Sequence, residues 1–199
     1  MKINQFGRSM VEMLGVLAII GVLSVGAISG YSNAMTKHKL NKQTEQIGSI
    51  IDNVHINMEA LKRSKTQIGE QDLILVLKGL QILPKEMIKD NTKYIYDSFN
   101  NIIHFQNLMA GEDYIFEFIM SLKKNKDSCI NLVKTAKLHS KELWRIKIEG
   151  SQAVNIRGDK ECISSSYKCL KTTTLSEMEE YCNMCTSSPS CHFYFQEYF

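Results

Sequence analysis

The stretch Gly7-Arg8-Ser9-Met10-Val11-Glu12, running straight into an apolar block over residues 13–28, constrains this chain more than any other feature. A short polar leader, residues 1–7 with Lys2, meets a glycine and then a helix of membrane grade that carries one acid. A carboxylate at the centre of a bilayer helix costs about 2.5–3.5 kcal/mol on insertion scales, so one kept there usually has a partner and a task. Against it stand Val11, Leu14, Val16, Leu17, Ile19, Ile20, Val22, Leu23, Val25 and Ile28. Each contributes about −0.3 to −0.6 kcal/mol, which together outweighs one off-centre acid. The segment is expected to enter a membrane.

A secretory signal peptide or a plain anchor is the simpler explanation. Lys2 and Arg8 supply its charge, and Ala27 or Gly30 supplies a small residue before a cut. Glu12 fits this badly, because an acid at the border of the apolar segment opposes the positive-inside signal. The leader, the Gly7 junction and a glutamate five residues beyond it instead resemble the processing site of the type IV pilin superfamily. The resemblance implies that a membrane prepilin peptidase cuts between Gly7 and Arg8 and methylates the new α-amino group of Arg8. It also implies that Glu12 pairs with that amine on a neighbouring subunit. Gly21 lies where the family often has a helix-loosening glycine. Arg8 stands where the family mostly has Phe, Met or Leu, and Ser29 where many members have proline.

The helix is expected to continue well past the membrane. Leu40, Ile47, Ile50, Ile51, Val54, Met58 and Leu61 recur at helical spacing, and Asn41, Lys42, Gln43, Glu45, Asp52, Asn53, Asn57 and Lys62 fill the other face. One helix from about residue 8 to 62 would be roughly 80 Å long at 1.5 Å per residue. It divides the chain into a leader (1–7), a transmembrane or filament-core segment (8–30), an amphipathic continuation (31–63) and a head (64–199). Gly15, Gly21, Gly26 and Gly30 each weaken the helix by about 1 kcal/mol against alanine, and small residues also allow close helix packing. After the N-terminal segment about 170 residues remain, enough for one domain with a real core.

In the head, residues 72–80 predict a short helix with Asp72 as N-cap and Gly79 as terminator, followed by an extended turn at Leu83-Pro84. Phe99-Asn100-Asn101 predicts a turn before a strand over 102–105, the segment 114–120 is rich in strand formers, and 128–133 starts a helix bearing Cys129. This order is similar to the head of type IVb pilins. Leu143, Arg145 and Lys147 alternate with Trp144, Ile146 and Ile148 as a half-buried strand, with residues 154–156 as a partner across Gly150. The chain closes on a strand over 192–198, and Pro84 and Pro189 act as punctuation.

Six cysteines, Cys129, Cys162, Cys169, Cys182, Cys185 and Cys191, allow 15 pairings if all are bridged. Disulfides are the expected use for an exported head. Zinc at Cys182-x2-Cys185 with Cys162, Cys169, Cys191 and His192 fits no common ligand spacing well, and a redox pair lacks a preceding βαβ pattern. Among the local bridges Cys162–Cys169 is favoured. The pilin resemblance implies that Cys129 closes a long loop to one of Cys182, Cys185 or Cys191.

The function classes narrow accordingly. Lys+Arg 24 against Asp+Glu 21 gives a net charge of +3, so no nucleic-acid partner is expected. The lysine clusters at 37–42 and 123–126 lack interleaved aromatics. His38, His55, His104, His139 and His192 form no metal or triad motif, so neither an enzyme nor a cofactor is expected. The expectation is an α+β protein: a long N-terminal helix, membrane-spanning and then amphipathic, on an antiparallel-sheet pilin head with a disulfide-rich C-terminal region. As the resemblance implies, it polymerises as a homo-oligomeric filament for adhesion, aggregation, motility or DNA or protein transport. It would first sit in the inner membrane with a periplasmic head, meet the prepilin peptidase and the assembly platform, and end in an extracellular pilus. A minor pilin or a type II secretion pseudopilin shares this logic. A membrane-anchored periplasmic disulfide-rich binding domain is the remaining alternative.

Overall fold

The computed structural model describes residues 6–63, 69–89, 93–110, 113–123, 125–188 and 190–198, and the side chains of 6–9, 109, 110, 113 and 187 are not among those described. Most of the leader, residues 1–5, and Pro189 lie outside this set. The chain divides into two units at Lys39/Leu40. The first is helical throughout its described part, the N-terminal portion of α1 (Phe6–Ile56). It bears the long apolar segment expected from the sequence.

The second unit is α+β. Its remaining helices are α2 (Met58–Arg63), α3 (Glu70–Gly79), α4 (Lys126–Leu138) and α5 (Leu175–Ser187). The strands are β1 (Ile95–Tyr96), β2 (Ile102–Ala110), β3 (Asp113–Leu122), β4 (Arg145–Glu149), β5 (Ala153–Arg157) and β6 (Cys191–Tyr198). They form a six-stranded sheet in the order β1-β2-β3-β6-β4-β5, and every pairing is antiparallel. Because side chains alternate across a strand, the register fixes two faces. Phe105, Phe118, Phe195, Ile146 and Ile156 lie in one cross-strand row and are buried. With them in one core lie Ile47, Ile50, Ile51 and Val54 of α1, Leu73 and Leu77 of α3, Leu132 and Val133 of α4, and Met178 and Tyr181 of α5. Phe118 and Phe195 stack with ring centroids 4.5 Å apart.

Several local expectations are corrected. The helix does not run unbroken to residue 62; a turn at Asn57 separates α1 from α2. The Asn57 side-chain amide donates to the Asn53 carbonyl at 2.9 Å, and Ala60 N–H closes a three-residue turn on Asn57 O. Asparagine thus competes with the helical ladder from its side chain. Asp72 is not the N-cap of α3; Gly69 holds that position and Asp72 lies in the first turn. Gly79 is the last residue of that helix, but the left-handed closure lies two residues further on. Gln81 takes the left-handed conformation (φ 56°), Ile82 N–H reaches Leu77 O at 2.9 Å and Gln81 N–H reaches Lys78 O at 3.1 Å, a Schellman closure. Leu143 is buried and Trp144 only half-buried, because regular alternation starts at Arg145, after a turn.

Gln43 belongs to the core rather than to a solvated face. Its amide donates to Asp97 Oδ2 and Ser128 Oγ, both at 2.7 Å, and its carbonyl accepts from Asn131 Nδ2 at 3.2 Å. Asp97 also accepts the backbone N–H groups of Phe99 (2.9 Å) and Asn101 (2.7 Å), closing the turn in which Asn100 has φ 59°. Asparagine tolerates that region, as a turn before β2 requires.

Candidate functional site

In the first unit the large apolar side chains are left uncovered. From Met10 to Ile28 the large ones each keep 52–76 % of their surface. Burial of such side chains is worth about 1.5–3 kcal/mol each, so a complete cover would contribute on the order of 20–30 kcal/mol. That exceeds any cost of the one acid, Glu12, which is exposed on this helix. The segment is long and apolar enough to cross a membrane, with a mean hydropathy of 2.3 in an 18-residue window.

Gly7, Arg8, Glu12 and Gly21 all lie on α1. Arg8 and Glu12 are four residues apart, one helical turn. The backbone passes through Gly21 as uninterrupted helix. A Cβ at Gly15, Gly21, Gly26 or Gly30 would meet nothing within 4 Å, so no contact inside this chain requires those glycines.

The second unit gathers the cysteines. Cys129 of α4 is bridged to Cys182 of α5, Cys185 of α5 to Cys191 at the start of β6, and Cys162 to Cys169. No cysteine is free. The spacing of Cys182 and Cys185 puts both on one face of α5, a helix opened by a capping box between Thr174 and Glu177. The Cys185 and Cys129 sulfurs lie 3.9 Å apart, so the two buried bridges meet in the core. The bridged cysteines leave no ligands for zinc, and among the described residues no group of His, Cys, Asp or Glu is arranged to hold a metal.

Sequence reasoning missed three polar arrangements, two built by strand pairing and one by packing of a helix on the sheet. On the outer sheet face Gln106, Glu117, Gln196, Arg145 and Arg157 occupy one row across five strands. Glu117 accepts from the amides of Gln106 and Gln196, and Gln196 accepts from Arg145 Nε. A second row carries Tyr194, whose hydroxyl donates to Glu149 Oε2 at 2.6 Å; burial and that carboxylate push the phenol up to about 12.

The third arrangement faces the core. Glu197 is 2 % exposed, and neither carboxyl oxygen has a hydrogen-bond partner among the described residues. His55 Nδ1 approaches only to 3.8 Å. Burial, reinforced by Glu142 and Asp52 and opposed by Lys160, pushes its carboxyl up to about 9. No family model, curated protein or solved structure matches the chain.

Proposed function

We propose that this chain is a subunit of a type IVb-like pilus, anchored in a membrane before assembly and packed through its N-terminal helix afterwards. One observation carries the reading: a helix exposed all round its apolar surface, broken by a single carboxylate five residues after Gly7. Lipid covers such a surface before assembly, and neighbouring copies cover it in a filament. On this reading a prepilin peptidase cuts between Gly7 and Arg8. A subsite closing on the Gly7 backbone excludes any side chain there.

Glu12 then meets the new Arg8 amine of an adjacent subunit. At about 4 Å and an effective dielectric near 20 that attraction is worth about 4 kcal/mol before desolvation is set against it. Its main effect is register, because a subunit one step out leaves a carboxylate buried and unpaired. The bridged α+β unit is the part such a filament would display outside the cell, where disulfides persist.

Mass spectrometry of the mature N-terminus after co-expression with a prepilin peptidase tests the proposal. The expected chain starts at Arg8, and Gly7→Trp blocks the cut. A mature terminus near Ser29, Tyr31 or Met35 would establish a signal peptide instead and remove the pilus reading.

A further inference from the structure

At the end of the sheet where β1, β2, β3 and β6 meet, the outer face opens into a cleft of about 950 Å³. Ile103 and Phe105 point into the core, so Ile102 points outward. The register sets Tyr96, Ile102, Ser121 and His192 side by side as one row, and all four line the cleft. Lys89, Asn100, Lys123 and Ser190 complete the rim.

Among the described residues, the charge lining this cleft has one sign. Two ammonium groups and an imidazole line it, and no carboxylate does so among the described residues. The nearest acid along the row is Glu149, opposite His192, and it already accepts from Lys147 Nζ at 2.9 Å and from the Tyr194 hydroxyl.

The walls are held in place. Lys89 Nζ donates to Asn100 Oδ1 at 2.7 Å and lies 4.4 Å from the centre of the Tyr96 ring, which fixes the ammonium at the rim. Ser121 Oγ and His192 Nδ1 are 3.3 Å apart on the floor. The Cys185–Cys191 bridge anchors the wall that carries Ser190 and His192. A rigid concave surface with an aromatic ring, hydroxyl and amide groups, and cations suits a small polar anion, because little ordering is needed on binding. The Lys89 and Lys123 ammonium groups favour a carboxylate or sulfate, while Ser121, Ser190 and Asn100 can meet hydroxyl groups.

We infer that this cleft binds an acidic saccharide unit, with Lys89 and Lys123 on its anionic group and Ser121, Asn100 and His192 on its hydroxyls. The inference goes beyond the filament reading and does not depend on it.

Titration of the full chain in detergent micelles with glucuronic acid, N-acetylneuraminic acid, galactose and inorganic phosphate, followed by amide chemical shifts, tests it. At least one acidic sugar is expected to give saturable shifts at residues of the cleft, and galactose at the same concentrations none. Lys89→Ala and Lys123→Ala each weaken binding about tenfold, the scale of one hydrogen bond to a charged group. Lys171→Ala, which removes an exposed cation elsewhere, leaves it unchanged. Retained shift dispersion shows that each variant is folded. No saturable shift with either acidic sugar overturns the assignment, as does equal binding by both rim variants. Phosphate binding as tightly as the best acidic sugar overturns the saccharide part.

Discussion

Replacing Glu197 with glutamine removes a titration that the fold suppresses. In the folded chain its carboxyl is pushed up to about 9 by burial, with Glu142 and Asp52 adding to the effect, against an ordinary value of 4.5. Below pH 4.5 the folded and unfolded chains both hold the proton, and the stability is fully present. As pH rises from 4.5 toward 9, the unfolded chain ionises while the folded one stays neutral, so stability falls by about 1.4 kcal/mol per pH unit. Neutral pH lies about 2.5 pH units above the unfolded value, so the loss there is about 3 kcal/mol. Glutamine has nearly the same shape and cannot ionise. Glu197→Gln and the parent should melt together near pH 4.5 and diverge above it. By pH 7 the variant should lead by roughly 6–12 °C, at about 2–4 °C per kcal/mol for a chain of this size. Thermal melts of the detergent-solubilised chain across pH 4.5–8.5, with bridges intact, measure this. Two parallel curves would refute the reasoning, because they would mean that Glu197 ionises in the folded chain as it does in the unfolded one. The facing groups Asp52, His55, Glu142 and Lys160 are unchanged in the comparison.

Other perturbations test separate parts of the structure. On the proposed pilus reading, Glu12→Val removes the one acid of the apolar segment, so membrane insertion should be equal or better while filament yield collapses; normal filaments would remove the proposed assembly contact. Cys129→Ser with Cys182→Ser opens a bridge of sequence separation 53 and should lower the urea-unfolding free energy by about 4 kcal/mol on the chain-entropy scale. An unchanged midpoint with an unchanged m-value would show that the bridge constrains nothing. Gly158→Ala should cost about 2–4 kcal/mol in the same assay, since a Cβ there overlaps the Leu143 carbonyl, which belongs to the backbone and cannot swing aside.

The sequence made legible whatever rests on local period. The apolar spacing of residues 47–54 marked the buried stripe of α1, alternation marked β4, and β5 followed across Gly150. Cysteine count suggested bridges, and all six cysteines are bridged. Hidden from that kind of reading was α5. Its buried stripe is Met178, Tyr181, Cys182 and Cys185, at helical spacing but half made of cysteines. Counting cysteine as apolar, together with Thr174 and Glu177 at capping-box spacing, would have revealed it. The last strand was legible over residues 192–198, but not its place: β6 lies between β3 and β4 and is paired on both sides. Strand order is a non-local property, and no window of sequence contains it. The same holds for the outer polar row and for the row lining the cleft.

Gln43 shows what such non-local polar groups add to an apolar core. Ile47, Ile50, Ile51 and Val54 alone would tolerate a helix displaced by one turn, because residues four apart lie on the same face and aliphatic contacts have no direction. The hydrogen bonds of Gln43 do have direction. A displacement of one turn, about 5.4 Å, would carry its amide away from Asp97 and Ser128 and leave buried polar groups without partners, at about 1–3 kcal/mol for each neutral group and more for the Asp97 carboxylate. Gln46, buried one turn on, adds a further tie by accepting the Ser98 N–H at 3.0 Å. The apolar stripe therefore supplies most of the adhesion of residues 40–56 to the sheet, and the two glutamines select a single axial position for it. That position also fixes the turn at Asn100, because the Asp97 carboxylate bonded to Gln43 is the one that gathers the N–H groups of Phe99 and Asn101. Asn100 is at once the left-handed residue of that turn and the partner of Lys89, so one wall of the cleft is placed by a bond reaching back to α1.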